Sequence, residues 1–184
     1  MKFKTFVLIT MLSFLSACTT NQPLKSVEFI DPERFVGEWY VIANIPYFAE
    51  RNKVASKVIY QKLGEEKYAD IFESRKNNFD APLDRLVGKV RSMNENNTRW
   101  KSTFYWVVNF SFDIIDIDPE YQIMLLAHPS REYGWVMARQ QRISDQEYQR
   151  AMQIFKQNNY DTSLFSKVPQ FPDDIGKAGF QNQK

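Results

Sequence analysis

Apolar residues recur at every second position over short stretches of the chain, and turn-forming residues separate those stretches. The alternation predicts β-strands near 38–45, 54–62, 67–75, 85–93, 100–108, 111–118, 121–127 and 133–139. Between them lie Gly64-Glu65-Glu66, Asn77-Asn78, Asn94-Glu95-Asn96-Asn97, Asp118-Pro119-Glu120 and His128-Pro129-Ser130. Such clusters hold residues that accept left-handed backbone or close a turn with a side-chain oxygen. Eight strands with short connections predict sequential antiparallel pairing, as a sandwich or a barrel. The long connection is the first, from Pro46 to Lys53, and it suits a lid over one end.

From Ser144 the period changes. Ser144-Asp145-Gln146-Glu147 is a capping box, and behind it Tyr148, Ala151, Met152 and Phe155 fall on one helical face. Asn158-Asn159 ends the helix. A single amphipathic helix after eight strands lies outside the sheet and buries its stripe on outward apolar residues. The first strand supplies them. FVGEWYVIANIP, residues 35–46, is apolar on both faces, and its neighbours Trp39 and Tyr40 point to opposite sides. A period of two puts Trp39, Val41, Ala43 and Ile45 inward, with Tyr40 and Ile42 outward beneath the helix or a neighbouring segment. Beyond the helix, Val168-Pro169-Gln170-Phe171-Pro172 onward has no period. It is expected to run over the surface and to fray at its last residues.

On the last strand Tyr133, Trp135, Met137 and Arg139 share a face. An arginine among apolar neighbours needs a flat ring to stack on and carbonyls to bond. In a closed sheet the first and last strands are neighbours, so Trp39 and Arg139 meet and plug one end. The other end stays open, and eight strands enclose room for one small ligand. Trp135 and Met137 are the leading cavity candidates, with Val41 and Ala43 from the first strand. Phe104, Phe110 and Phe112 are further candidates; their facing depends on a register that the pattern leaves open, core or outward packing being the alternative.

Composition narrows the partners. The chain has 184 residues, is 43% hydrophobic and 15% aromatic, and carries a formal charge of +2. That length supports one domain with a core of its own. The leader MKFKTFVLITMLSFLSAC has the charged, apolar, small-residue order of an export signal, and its apolar run is too short to span a bilayer. Its loss takes Lys2 and Lys4 from 24 basic residues and leaves 22 against 22 acids. A neutral chain offers no electrostatic footprint for nucleic acid. Cys18 is the only cysteine, so no internal disulfide forms. Leu15-Ser16-Ala17-Cys18 resembles a bacterial lipoprotein box, the alternative being a leftover thiol in a discarded leader. The resemblance implies a signal peptide at 1–17, an acylated Cys18 and tether at 18–27, and a folded domain at 28–184. Thr19, where inner-membrane lipoproteins often carry Asp, leans toward the outer membrane, on its periplasmic face.

The motifs together resemble a known family. Gly37-x-Trp39-Tyr40, Asp118-x-x-Tyr121 and Arg139 are similar to the three motifs of lipocalins, over roughly Asp31 to Gln170. Asp31-Pro32-Glu33-Arg34-Phe35 and Asn159-Tyr160-Asp161-Thr162-Ser163 resemble the bacterial, outer-membrane branch. The resemblance implies an all-β fold: an eight-stranded antiparallel up-and-down barrel closed at the motif end, with one C-terminal α-helix packed outside. The chain departs from that branch at Val41 and Asn44, where an acid and a base are usual, and across Phe104–Phe112, which lacks the expected proline and glycines. These changes bear on the ligand rather than the fold.

An aromatic cup favours a long apolar guest, because each buried methylene contributes about 0.8 kcal/mol. The family resemblance implies a fatty acid or a lysophospholipid, bound, stored or transferred beside the membrane. A homodimer sharing an enlarged site is compatible with these features. The rival reading is a structural or adaptor lipoprotein whose barrel is filled by its own side chains. Enzymatic activity is not expected: the one histidine, His128, sits in a turn, and Asp116 and Asp118 are explained by a strand end and a turn. No cofactor and no metal are expected, since one histidine and one cysteine leave only oxygen ligands without a calcium-type loop.

Overall fold

In the computed structural model, which describes residues 22–65, 67–105 and 107–181, the alternating stretches form one closed sheet. A four-residue helix α1 (Pro32–Phe35) leads into β1 (Gly37–Ile45), β2 (Lys53–Gly64), β3 (Lys67–Lys76), β4 (Leu83–Ser92), β5 (Arg99–Phe104), β6 (Val108–Ile117), β7 (Ile123–Ala127) and β8 (Gly134–Ala138). Helix α2 (Asp145–Gln157) and a two-residue strand β9 (Ser166–Lys167) follow. From β1 to β8 each strand pairs antiparallel with the next, and β1 pairs with both β2 and β8, which closes the barrel. The expected export signal and Cys18 lie outside the described residues. The described part of the expected tether packs against the barrel: the Lys25 amide donates to Asn158 (2.9 Å) and the Val27 amide to Ile114 (3.1 Å).

Seven of the eight expected strands fall within a few residues of their places; the fifth ends early. The run 100–108 breaks at Tyr105, whose backbone is left-handed (φ 48°), and Val108 already pairs with Phe104 as the start of β6. The run carries no glycine, proline or asparagine to mark the turn.

The barrel has apolar packing on both faces of one wall, as the first strand demands. Inside, Phe35, Trp39, Val41, Tyr60, Tyr68, Trp100, Met124 and Met137 form one buried cluster. Outside, Ile42, Ile115, Leu125, Val136 and Ala138 form a second with Ala151 and Phe155 of α2. Helix α2 starts at the predicted box, with Ser144 and Glu147 bonding each other's backbone, and Tyr148 and Met152 pack at its margin.

A β-bulge corrects the facing of the first strand. Val41 pairs with Met137 and Ala43 with Val136, so Ile42 is an extra residue in the ladder. Ala43 and Ile45, expected inside, therefore join the outer cluster beneath α2. The extra residue shifts every later side chain by one position, a change that a period of two does not record.

The tail is corrected as well. β1 runs beside β2 only from Gly37 to Tyr40; β2 has its own irregularity between Val54 and Lys57, with Ala55 at φ 50°. The strands diverge there, and residues 166–170 enter the gap instead of running over the surface. β9 pairs with Ala43 and Asn44. The Val168 amide donates to Ile42 (2.9 Å) and the Ala55 amide to Pro169 (2.8 Å). Gln170, buried, donates its side-chain amide to Val41 (2.8 Å) and Ser56 (3.0 Å), one carbonyl on each strand.

Candidate functional site

The two ends of the barrel are built differently. At one end α1, β1 and the residue after β8 converge. Gly37 has φ 105°, and a Cβ there would lie 3.0 Å from Arg139 Nη1, so only glycine admits both the backbone and the guanidinium. Arg139 lies flat on the Trp39 indole, 3.7 Å from the ring centroid. It donates to the carbonyls of Glu38 (2.8 Å), Arg34 (2.7 Å) and Val36 (2.9 Å). Trp39 is fully buried and donates its indole N–H to Phe35 (2.8 Å). Asp118 accepts from the amides of Glu120 (3.1 Å) and Gln122 (2.8 Å) and shapes the turn that carries Tyr121. The Tyr121 hydroxyl accepts from the Asp31 amide (2.9 Å), and Arg34 lies over the Tyr121 ring. All five residues of the expected closure group thus stand at one end. Above them Phe35 stacks between Tyr60 and Trp100, with centroids 4.4 and 4.6 Å away, and floors the interior.

Above that floor is a cavity of about 320 Å³. Trp135, Met137, Phe104, Phe110 and Phe112 line it; Val41 packs in the core below, and Ala43 faces outward. Phe104 reaches the wall because Gly88 on β4 has no side chain: a Cβ there would fall 2.5 Å from the Phe104 ring. Trp135, Phe110, Tyr47 and Tyr133 form an aromatic collar, with Phe110 5.1 Å from Trp135 and 5.8 Å from Tyr47. The connection from Pro46 to Lys53 contributes Tyr47, Phe48 and Glu50 to the lining.

Among the lining residues that escaped the sequence reading are two acids, Glu50 and Asp70. Asp70 on β3 shares a face with Tyr68 and Phe72 by the period of two, a signal that was legible. It accepts a hydrogen bond from the Ser102 hydroxyl. Glu50 lies in an aperiodic loop, where no pattern reports facing. Its Oε1 accepts from the Trp135 indole (2.8 Å), and its Oε2 from Asn44 (3.2 Å) and the Tyr47 amide (3.3 Å). Both are nearly closed off from solvent, with 7% and 5% of the residue exposed for Glu50 and Asp70. Burial pushes Glu50 up to about 8, against the hydrogen bonds from Trp135, Tyr47 and Asn44. Burial also raises Asp70, to about 6, against the hydrogen bond from Ser102.

His128 stands in the turn between β7 and β8, its ring 5.1 Å from Phe110. Its Nδ1 lies 2.8 Å from Ser130 Oγ and also accepts from the Ser130 amide (3.2 Å). The Ser130 hydroxyl is shared with Glu132 (3.0 Å). Sequence reading expected no hydroxyl–imidazole pair; this one spans two residues of a tight turn and lies off the cavity lining. Among the described residues no group of acids, histidine or cysteine is gathered in a metal-binding cluster.

The comparisons agree with this geometry. The family model of the lipocalin-like domain matches residues 30–170. Temperature-induced lipocalin-1 of Arabidopsis thaliana is 25% identical over 83% of this chain and 86% of its own length. The outer membrane lipoprotein Blc of Escherichia coli (strain K12) is 25% identical over 84% of this chain and 89% of its own. Among solved structures, insecticyanin of the tobacco hornworm Manduca sexta superposes with a TM-score of 0.64 at 17% identity, covering 88% of this chain and 89% of that one. A barrel closed by its first and last strands, plugged by stacked tryptophan and arginine and followed by one outer helix, belongs with these proteins: the chain is a member of the lipocalin-like family, a bacterial lipocalin.

Proposed function

We propose that this chain is a membrane-anchored lipid carrier of the cell envelope, which takes the chain of a fatty acid or lysophospholipid into its cup. The observation that carries this reading is the cavity of about 320 Å³ above a sealed aromatic floor. Small-molecule sites span about 300–1,000 Å³, so the volume suits a single-chain amphiphile rather than a two-chain phospholipid. The unfilled space favours a guest over a barrel packed by its own side chains.

The likeness to outer membrane lipoproteins over most of the chain supports an outer-membrane location. Acylation of Cys18 supplies the anchor. Gln22, at the start of the described residues, accepts from Arg131 in the β7–β8 turn at the open end. Three residues lie between it and Cys18, and the four chain steps span at most about 14 Å. That tether holds the open mouth toward the lipid surface. The mouth carries Phe48, Tyr105, Val107 and Val108, each more than half exposed.

The test uses the full chain with Cys18→Ser, which has no thiol to acylate. Titration with a long-chain lysophospholipid or fatty acid is expected to shift the tryptophan emission, and Trp135→Phe to remove most of the shift. Native mass spectrometry should show one lipid per chain. Silence from every amphiphile in both measurements would refute the carrier.

A further inference from the structure

The cup is apolar, yet it holds two buried carboxyl groups, and among the described residues no lysine, arginine or histidine lines it. Glu50 enters from the loop after β1, and Asp70 stands on β3 close above the floor. The donors that reach them are neutral: an indole, a carboxamide and a backbone amide for Glu50, a hydroxyl for Asp70. Neither acid joins an ion pair among the described residues. His128 lies behind Phe110 and Tyr133, off the lining, with its Nδ1 committed to Ser130.

A buried acid without a cation costs free energy, and the raised proton affinity of both groups records that cost. A ligand changes the balance according to its head. A carboxylate that enters head first adds a third acid and meets no cation, and like charges repel. A carboxylate left at the mouth lays its alkyl chain across carboxyl oxygens that still have lone pairs to fill. An ammonium brings donors and the missing charge together. The Tyr47, Phe110, Tyr133 and Trp135 rings around Glu50 also offer it aromatic faces.

We propose that the cup selects a single-chain amphiphile whose head carries a cationic nitrogen, with Glu50 and Asp70 as its acceptors. This rests on the carrier reading and narrows it, setting the free fatty acid below an ammonium-bearing ligand. Long-chain amines and ammonium-bearing lysolipids share the chemistry.

The experiment compares dodecylamine, dodecanol and laurate, each below its micelle threshold, on the full chain with Cys18→Ser at neutral pH. Chain length is constant, so differences report the head. Dodecylamine is expected to bind at least about tenfold tighter than laurate, with dodecanol between them. The double variant Glu50→Gln, Asp70→Asn is expected to abolish the preference and to strengthen laurate. A lauroyl lysophosphatidylethanolamine arm separates the sources: affinity near that of the amine identifies the lysolipid, and affinity near that of laurate identifies the free amine. Laurate binding as tightly as dodecylamine would overturn the proposal and leave the carrier standing. Failure of all four ligands to bind would overturn the carrier itself. The wild-type order decides without the variant, should the variant fold poorly.

Discussion

Arg139 and Glu50 are both charged side chains set into apolar surroundings, and they are treated in opposite ways. Arg139 has the Trp39 face and three carbonyls. Glu50 has donors and, among the described residues, no ion-pair partner. The first arrangement is closed and structural, whereas the second is incomplete until something arrives. The difference predicts a pH dependence. A carboxyl raised to about 8 in the fold holds its proton where the unfolded chain, at about 4.3, has released it. Its contribution is fully present below the unfolded value and is lost as pH rises through about 8. Asp70, raised to about 6, adds to the loss in the lower part of that window. Ligand-free protein is therefore expected to lose stability toward urea between about pH 5 and pH 8, by at most about 1.4 kcal/mol per unit for each group. Glu50→Gln should flatten the upper part of the profile; an unchanged slope in that variant would refute the assignment. Asp70 was legible beside Tyr68 and Phe72, because alternation places all three on one face. Glu50 was not, because a loop has no period.

At the scale of elements, the bulge in β1 decides how the barrel closes. One extra residue at Ile42 turns Ala43 and Ile45 outward and gives α2 a broader apolar seat. The divergence of β1 and β2 leaves backbone groups that need partners, and residues 166–170 supply them. Gln170 is the clasp, since its amide satisfies carbonyls on both strands. Gln170→Ala is expected to cost about 2–4 kcal/mol, because two buried acceptors lose their donor. Hydrogen exchange should accelerate at the Ile42–Ala43 and Ala55–Lys57 amides while the floor around Trp39 stays protected. Uniform acceleration through the barrel would mean that the seam is not a separate weak point. The helix was legible to its cap because capping box and apolar stripe act within a few residues of chain. The clasp was not, since Gln170 and Val41 are 129 residues apart.

At the scale of the whole molecule, the ends divide the work: one is sealed by side chains, and the other is open and ringed by exposed apolar groups. The Gln22–Arg131 contact belongs to the open end. If the mouth meets the lipid surface, a charge on its rim interferes while a charge at the sealed end does not. Val107→Asp is expected to reduce flotation with phosphatidylethanolamine vesicles several-fold and to slow lipid uptake, without loss of stability, because Val107 is 75% exposed. Met93→Asp, in the turn between β4 and β5 at the sealed end, should change neither. Equal loss in both variants would leave the orientation without support.

By itself the sequence determined whatever depends on near neighbours along the chain: eight alternating stretches, the turns between most of them, a capped helix with one apolar stripe, and a first strand that needs cover on both sides. It also carried the tryptophan and arginine whose partnership follows once the sheet closes. Only the tertiary structure decided what depends on distant segments meeting. The bulge is a mismatch between two strands and exists in neither alone. The tail finds its place because two other strands part. The pair of acids became a feature of the cup only when a loop folded over its mouth, for the cost of burying a charge is set by everything around it and not by its position in the chain.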